Sequence, residues 1–252
     1  MPARATARWP SRLWIVIILL SASATGANAQ EITMDFGGDN SLTGSSLMLI
    51  AAVTLLSLAP GILIMVTCFP FIVTVLSILR QAIGLQQSPP NMLIISLSLF
   101  LTWFIMEPVF MESYQTGIAP LIRQDIEMVT AFERAIEPFR VFMAARTDPE
   151  TFRSLSELRL ADPAQVQDLS PRAPLSTLVP SFMLSEVARA FQIGFLVYVP
   201  FLIIDLVVSA VLMSMGMMMV PPAVVALPFK LAFFVVANGW VLISEALVRS
   251  YF

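Results

Sequence analysis

Met213-Ser214-Met215-Gly216-Met217-Met218-Met219-Val220-Pro221-Pro222 lies inside an uncharged run from Leu206 to Phe229, bracketed by Asp205 and Lys230. Methionine is unbranched and polarizable, so five of them in seven positions, beside Gly216 and before a proline pair, describe a deformable apolar surface. One reading is the Met-rich end of a lipid-facing helix; the other is a gate or soft seal. If one helix ran to Pro221, Asp205 would lie about 24 Å before the turn and Lys230 about 12 Å after it, and the charges would miss each other. If Gly216 to Pro222 is an irregular loop, the two spans are about 16 Å and about 12 Å, a mismatch a lysine stem bridges. The spacing therefore predicts a methionine loop at a hairpin tip, with Gly216, Pro221 and Pro222 as its hinge and Asp205 paired with Lys230.

Outside that stretch the chain is just as apolar. It is 58% hydrophobic and 12% charged, with mean hydropathy +0.84, the composition of an integral membrane protein. Arg4, Arg8 and Arg12, the apolar stretch Leu13 to Leu20 and the small-residue site Ala27-Asn28-Ala29 read as a cleavable signal over residues 1–29. Its removal leaves 11 basic residues against 17 acidic ones, so no basic patch for nucleic acid is expected. The chain has no histidine, which excludes imidazole metal sites, Ser/His/Asp and Cys/His triads and H-E-x-x-H proteases. No cofactor and no enzymatic activity are expected. The lone Cys68, inside an apolar run, reads as a small buried hydrophobe.

In order, residues 30–46 read as a short extracytoplasmic lead-in and 47–110 as a first hydrophobic helical block. Asn40 to Leu79 carries no charge and would be about 60 Å long as one helix, so Pro60-Gly61 and Pro70 are expected to break it. Pro89-Pro90 bars helix, Asn91 is placed to cap the next one, and Glu107-Pro108 is expected to end it. Residues 111–180 form a polar insert with a Pro-rich linker. In it Ile122, Ile126, Val129, Phe132, Ile136 and Phe139 repeat at three and four, predicting one apolar helix face kinked near Pro138. Ile126, Val129 and Phe132 are its candidate subunit contacts, because such a stripe needs a partner. Thr147-Asp148-Pro149-Glu150 reads as a helix start, and the mixed charges of the insert as a solvated face. Residues 181–252 form a second hydrophobic block with Pro200, Pro221-Pro222 and Pro228 as interruptions. The fold class is all-α: hydrophobic hairpins broken by Pro and Gly, with an amphipathic helical insert, assembling into a helical oligomer.

Several stretches together resemble the FliP family of flagellar biosynthetic proteins and their injectisome counterparts in type III secretion. They are Leu79-Arg-Gln-Ala-Ile-Gly-Leu-Gln-Gln-Ser-Pro-Pro-Asn91, Ala190-Phe-Gln-Ile-Gly-Phe195, Phe201-Leu-Ile-Ile-Asp-Leu-Val-Val208, Met215 to Pro222, Leu227-Pro-Phe-Lys-Leu231 and Asn238-Gly-Trp240. The resemblance implies a core subunit of the export gate in the bacterial inner membrane and flagellar basal body. Five such chains would assemble with FliQ-like and FliR-like subunits, beside FlhB-like and FlhA-like components, to pass unfolded substrates. It implies that Met217, Met218 and Met219, with Met213 and Met215 nearby, contribute to a gasket closing the channel. It also implies that most of the apolar helices pack against neighbouring subunits above the membrane plane. From the residues alone two rivals stand: a proton-coupled transporter using Glu107, Asp205 and Lys230, and a membrane protease using Lys230 with Ser209, Ser214 or Ser244. Nothing fixes the dyad's spacing, and no internal repeat supports a transporter.

Overall fold

The computed structural model describes residues 42–85, 89–159, 168–217 and 219–252. The signal over 1–29, residues 30–41 of the lead-in, Gln86 to Ser88, residues 160–167 at the start of the linker and Met218 lie outside the described residues. Among the described residues the chain is all-helical, with no strand.

Helix α1 covers Leu42–Met65 and α2 Phe69–Ile83. Pro60 stands inside α1 and does not break it, and a Cβ added at Gly61 beside it would meet nothing within 4 Å outside its own helix backbone. The chain turns instead at Val66 to Cys68. There Thr67 Oγ1 donates to Ile64 O (2.8 Å) and accepts from Phe69 N (3.3 Å), linking the end of one helix to the start of the next. Pro70 opens α2 at a position where its missing N–H costs nothing. From Thr54 onward the helices form one compact unit, and α2 runs through its centre. Phe71, Ile72, Val75, Leu76, Leu79, Ala82 and Ile83 are all buried, and Cys68 joins them as a buried free thiol. This is a stripe at helical spacing that covers both edges of one face.

Helix α3, Asn91–Ser113, runs straight through Glu107-Pro108 into a π-turn at Tyr114–Ile118 and the short α4, Ala119–Ile122. Asn91 is the first helical residue and does not cap; its Oδ1 accepts from Arg80 Nη1. The π-turn brings Gly117 against α5, Met128–Arg146, where an added Cβ would stand 2.6 Å from Ala135 Cβ and 2.7 Å from Ala131 O. Ser113 Oγ donates to Ala135 O (2.7 Å) at the same contact.

The predicted single stripe from Ile122 to Phe139 is divided. Gln124, at φ +62°, ends the first segment, so Ile122 and Ile126 precede α5, and α5 continues through Pro138 as one helix. The face α5 buries is Ala131, Pro138, Phe139, Met143 and Ala144, while Val129 and Phe132 are exposed. Helix α6, Pro149–Arg159, starts as the sequence predicts, with Asp148 Oδ2 accepting from Thr151 N and Oγ1, both at 2.8 Å. Those bonds hold the Asp148 carboxyl below its usual range.

The longest element is α7, Leu175–Ser214, 40 residues through both Pro180 and Pro200. It therefore begins before the expected linker ends. Each internal proline removes one ladder bond, a local loss that the surrounding apolar turns outweigh. Gly194 lets α7 lie against α2, since a Cβ there would meet Ile78 Cδ1 at 2.4 Å. Helix α8, Pro222–Val236, and α9, Gly239–Arg249, are bent 61° apart at Asn238. Among the described residues, two runs, Asn91–Ile122 and Leu175–Ser214, are long and apolar enough to cross a membrane, or up to four if each bent helix pair is one span.

Candidate functional site

The end of α7 explains the methionine loop. Met215 is the last residue with helical φ and ψ, and Gly216 follows at φ +73°. Gly216 N donates to Met213 O (3.1 Å) and Met217 N to Leu212 O (3.0 Å), the paired bonds of a Schellman motif, which needs a left-handed residue at Gly216. Pro221 is extended (φ −63°, ψ 119°), and Pro222 opens α8 at its first position. Gly216, Pro221 and Pro222 thus stop one helix and start the next, with Met217 and Met219 between them and Met213 and Met215 on the end of α7. Met213 and Met215 are exposed, Met217 is 38% exposed and Met219 97%.

At the base of this hairpin Lys230 Nζ lies 2.6 Å from Asp205 Oδ2. The lysine is buried and also donates to Ala82 O at 3.1 Å, at the C-terminal end of α2. There it takes up a backbone carbonyl of the last turn, where carbonyls lack intrahelical partners, at the negative end of the helix. A single ammonium thus joins α2, α7 and α8. Gly84, at φ +88°, turns the chain away just past this point, and its Cβ position is 4.0 Å from Lys230 Nζ. Asp205 Oδ1 is buried without a hydrogen bond.

A second charged cluster escaped the sequence reading, which placed the insert's charges on a solvated face. Glu186, on α7, is completely buried. Its Oε1 accepts from Arg146 Nε (3.1 Å) and Arg189 Nη1 (3.0 Å), and Tyr251 OH donates to Oε2. Arg146 also donates to Ser250 O (2.8 Å) and lies 4.0 Å over the Tyr251 ring. Residues 40, 65 and 104 positions apart in sequence thereby share one site. Glu186-x-x-Arg189, one helical turn apart at the edge of an apolar block, was the available signal. Nothing in the pattern marked Arg146 or Tyr251 as its partners.

Of the three residues of the transporter reading, Asp205 and Lys230 meet, while Glu107 stands exposed on α3. For the dyad reading, Lys230 Nζ bonds Asp205 and Ala82, and Ser214 Oγ donates to Val211 O (2.7 Å). Neither is set up as base and nucleophile.

The model of the FliP family matches residues 52–247. The flagellar biosynthetic protein FliP of Caulobacter vibrioides is 47% identical over 238 residues, covering 94% of this chain and 87% of that one. The protein of the same name in Aquifex aeolicus is 43% identical over 237 residues, covering 94% and 98%. That of Bacillus subtilis is 44% identical over 208 residues, covering 82% and 92%. With an all-helical fold, apolar helices of membrane-crossing length and this similarity over most of its length, the chain belongs to the FliP family of flagellar biosynthesis.

Proposed function

We propose that the chain is a non-enzymatic core subunit of the flagellar type III protein export gate in the bacterial inner membrane. In this reading several copies, with FliQ-like and FliR-like subunits, surround a channel for unfolded polypeptides, and Met217, Met218 and Met219 from each copy close it. The observation that carries the reading is the hairpin tip: a Schellman stop at Gly216 and a proline start at Pro222 hold a run of methionines, largely exposed where described, outside either helix.

Methionine suits a constriction that must yield, because a flexible thioether repacks around variable side chains. A dry apolar ring also stops ions by dewetting, without a charged group. Oligomerisation is supported by the apolar side chains that a single copy leaves uncovered. Met128, Val129 and Phe132 are 66–75% exposed on α5, more apolar surface than an unpartnered helix presents.

The test is replacement of Met217, Met218 and Met219 by alanine in the assembled complex. Assembly should persist and the membrane should leak ions; leucine at the same three positions should keep the seal and slow export. An alanine variant that assembles and stays as ion-tight as the parent overturns the gate.

A further inference from the structure

A groove of about 710 Å³ runs along the hairpin between α7 and α8 behind the methionine loop. Every residue lining it is apolar, including Val207, Val211, Phe229 and Phe233, and Met215 and Met217 close its loop end. Met219 does not line it and is almost fully exposed, whereas Met217, which does, is the less exposed of the two. The described methionines from 215 to 219 thus already divide into one that projects, Met219, and two that border the groove, Met215 and Met217. Asp205 and Lys230, next in sequence to the lining residues Ile204 and Phe229, tie the two walls together.

We propose that this groove is the retraction pocket of the gate: when a polypeptide displaces the methionines, Met215 and Met217 fold back into it. The inference rests on the gate reading above. A cavity of ~150 Å³ accommodates a benzene, so this groove has room for more than one thioether side chain. The transfer exchanges one apolar environment for another, so it costs little in hydration, and the unbranched side chain reaches the groove by rotation about its own bonds. Opening then needs no movement of α7 or α8.

The experiment is a filling series at one wall, Val207→Ile, Val207→Leu and Val207→Phe, in the complete complex in cells. Val207 is 57% exposed in the single chain, so its enlargement does not overpack the core. Secreted flagellar protein should fall with side-chain volume, modestly and to a similar extent for the isomeric isoleucine and leucine and several-fold for phenylalanine, while complex yield and ion tightness stay at the parent level. Export at the parent rate across the series overturns the pocket. A loss of complex yield that parallels the loss of export also overturns it, and assigns the groove to a neighbouring subunit. Should phenylalanine alone prevent assembly, the isoleucine member, one methylene larger, carries the same comparison. The two readings separate cleanly: alanine substitutions that do not leak sink the gate itself, whereas leaking alanine substitutions with an indifferent filling series sink only the pocket.

Discussion

Lys230→Met removes the ammonium at the base of the hairpin and keeps the volume of the side chain. Two groups lose a partner: the Asp205 carboxylate, whose Oδ1 is already without one, and Ala82 O. Breaking a buried ion pair from one side costs about 3–5 kcal/mol. The Asp205 side chain is 32% exposed, so water offsets part of that, and about 2–3 kcal/mol is the expected loss for Lys230→Met. Asp205→Asn should cost less, because Lys230 keeps Ala82 O and the amide oxygen still accepts. The double variant Asp205→Leu with Lys230→Met should be more stable than Lys230→Met alone by about 1 kcal/mol or more, since no unpaired charge remains. The charge-swapped pair is the decisive member. Taken from the sequence, the pair is symmetric and a swap should partly restore it. In the structure it is not: aspartate at position 230 would face Ala82 O at the negative end of α2. The swap should therefore be less stable than the neutral double variant. Thermal unfolding of the detergent-extracted complex, with complex yield alongside, measures all four. A swapped pair as stable as the parent would refute the three-way junction and reduce the site to a simple ion pair.

Glu186→Gln puts an amide between two guanidinium groups at a fully buried position and should cost about 3 kcal/mol or more, with Tyr251 released to protease, whereas Glu245→Gln, in the exposed pair with Arg249, should change little in the same thermal scan. Gly117→Ala should cost about 1–3 kcal/mol, because its Cβ would press on the backbone of α5 as well as on Ala135, and a loss of thermal stability smaller than that of an exposed Ala-to-Gly change would contradict the close contact. Phe132→Asp should leave the fold of the single chain unchanged by circular dichroism and prevent the oligomer by native mass; a normal oligomer would remove this face from the subunit contacts.

The helical class, the turn of the methionine hairpin and the meeting of Asp205 with Lys230 follow from hydropathy, Gly and Pro chemistry and the rise of a helix, all local or nearly local quantities. The Glu186 cluster does not, because Arg146, Glu186 and Tyr251 come together only through packing of α5, α7 and the C-terminal turn. Nor does the face that α5 buries. Its small residues Ala131 and Ala135 lie against Gly117, an approach set by a π-turn that apolar periodicity does not register. Proline was the more instructive signal. Pro60, Pro108, Pro138, Pro180, Pro200 and Pro228 all stand inside helices. By contrast Pro70, Pro149 and Pro222 stand at helix starts. The described non-glycine and glycine residues with positive φ are Gly84, Gln124, Gly216 and Asn238, and each lies one or two residues past a helix end. A missing N–H costs one bond, which a long apolar helix tolerates; a left-handed residue turns the chain, which it does not. Among the described residues, then, four of the joints between helices fall at a left-handed residue just past a helix end, Gly84, Gln124, Gly216 and Asn238, and a proline marks one where it follows such a turn, as Pro222 follows Gly216.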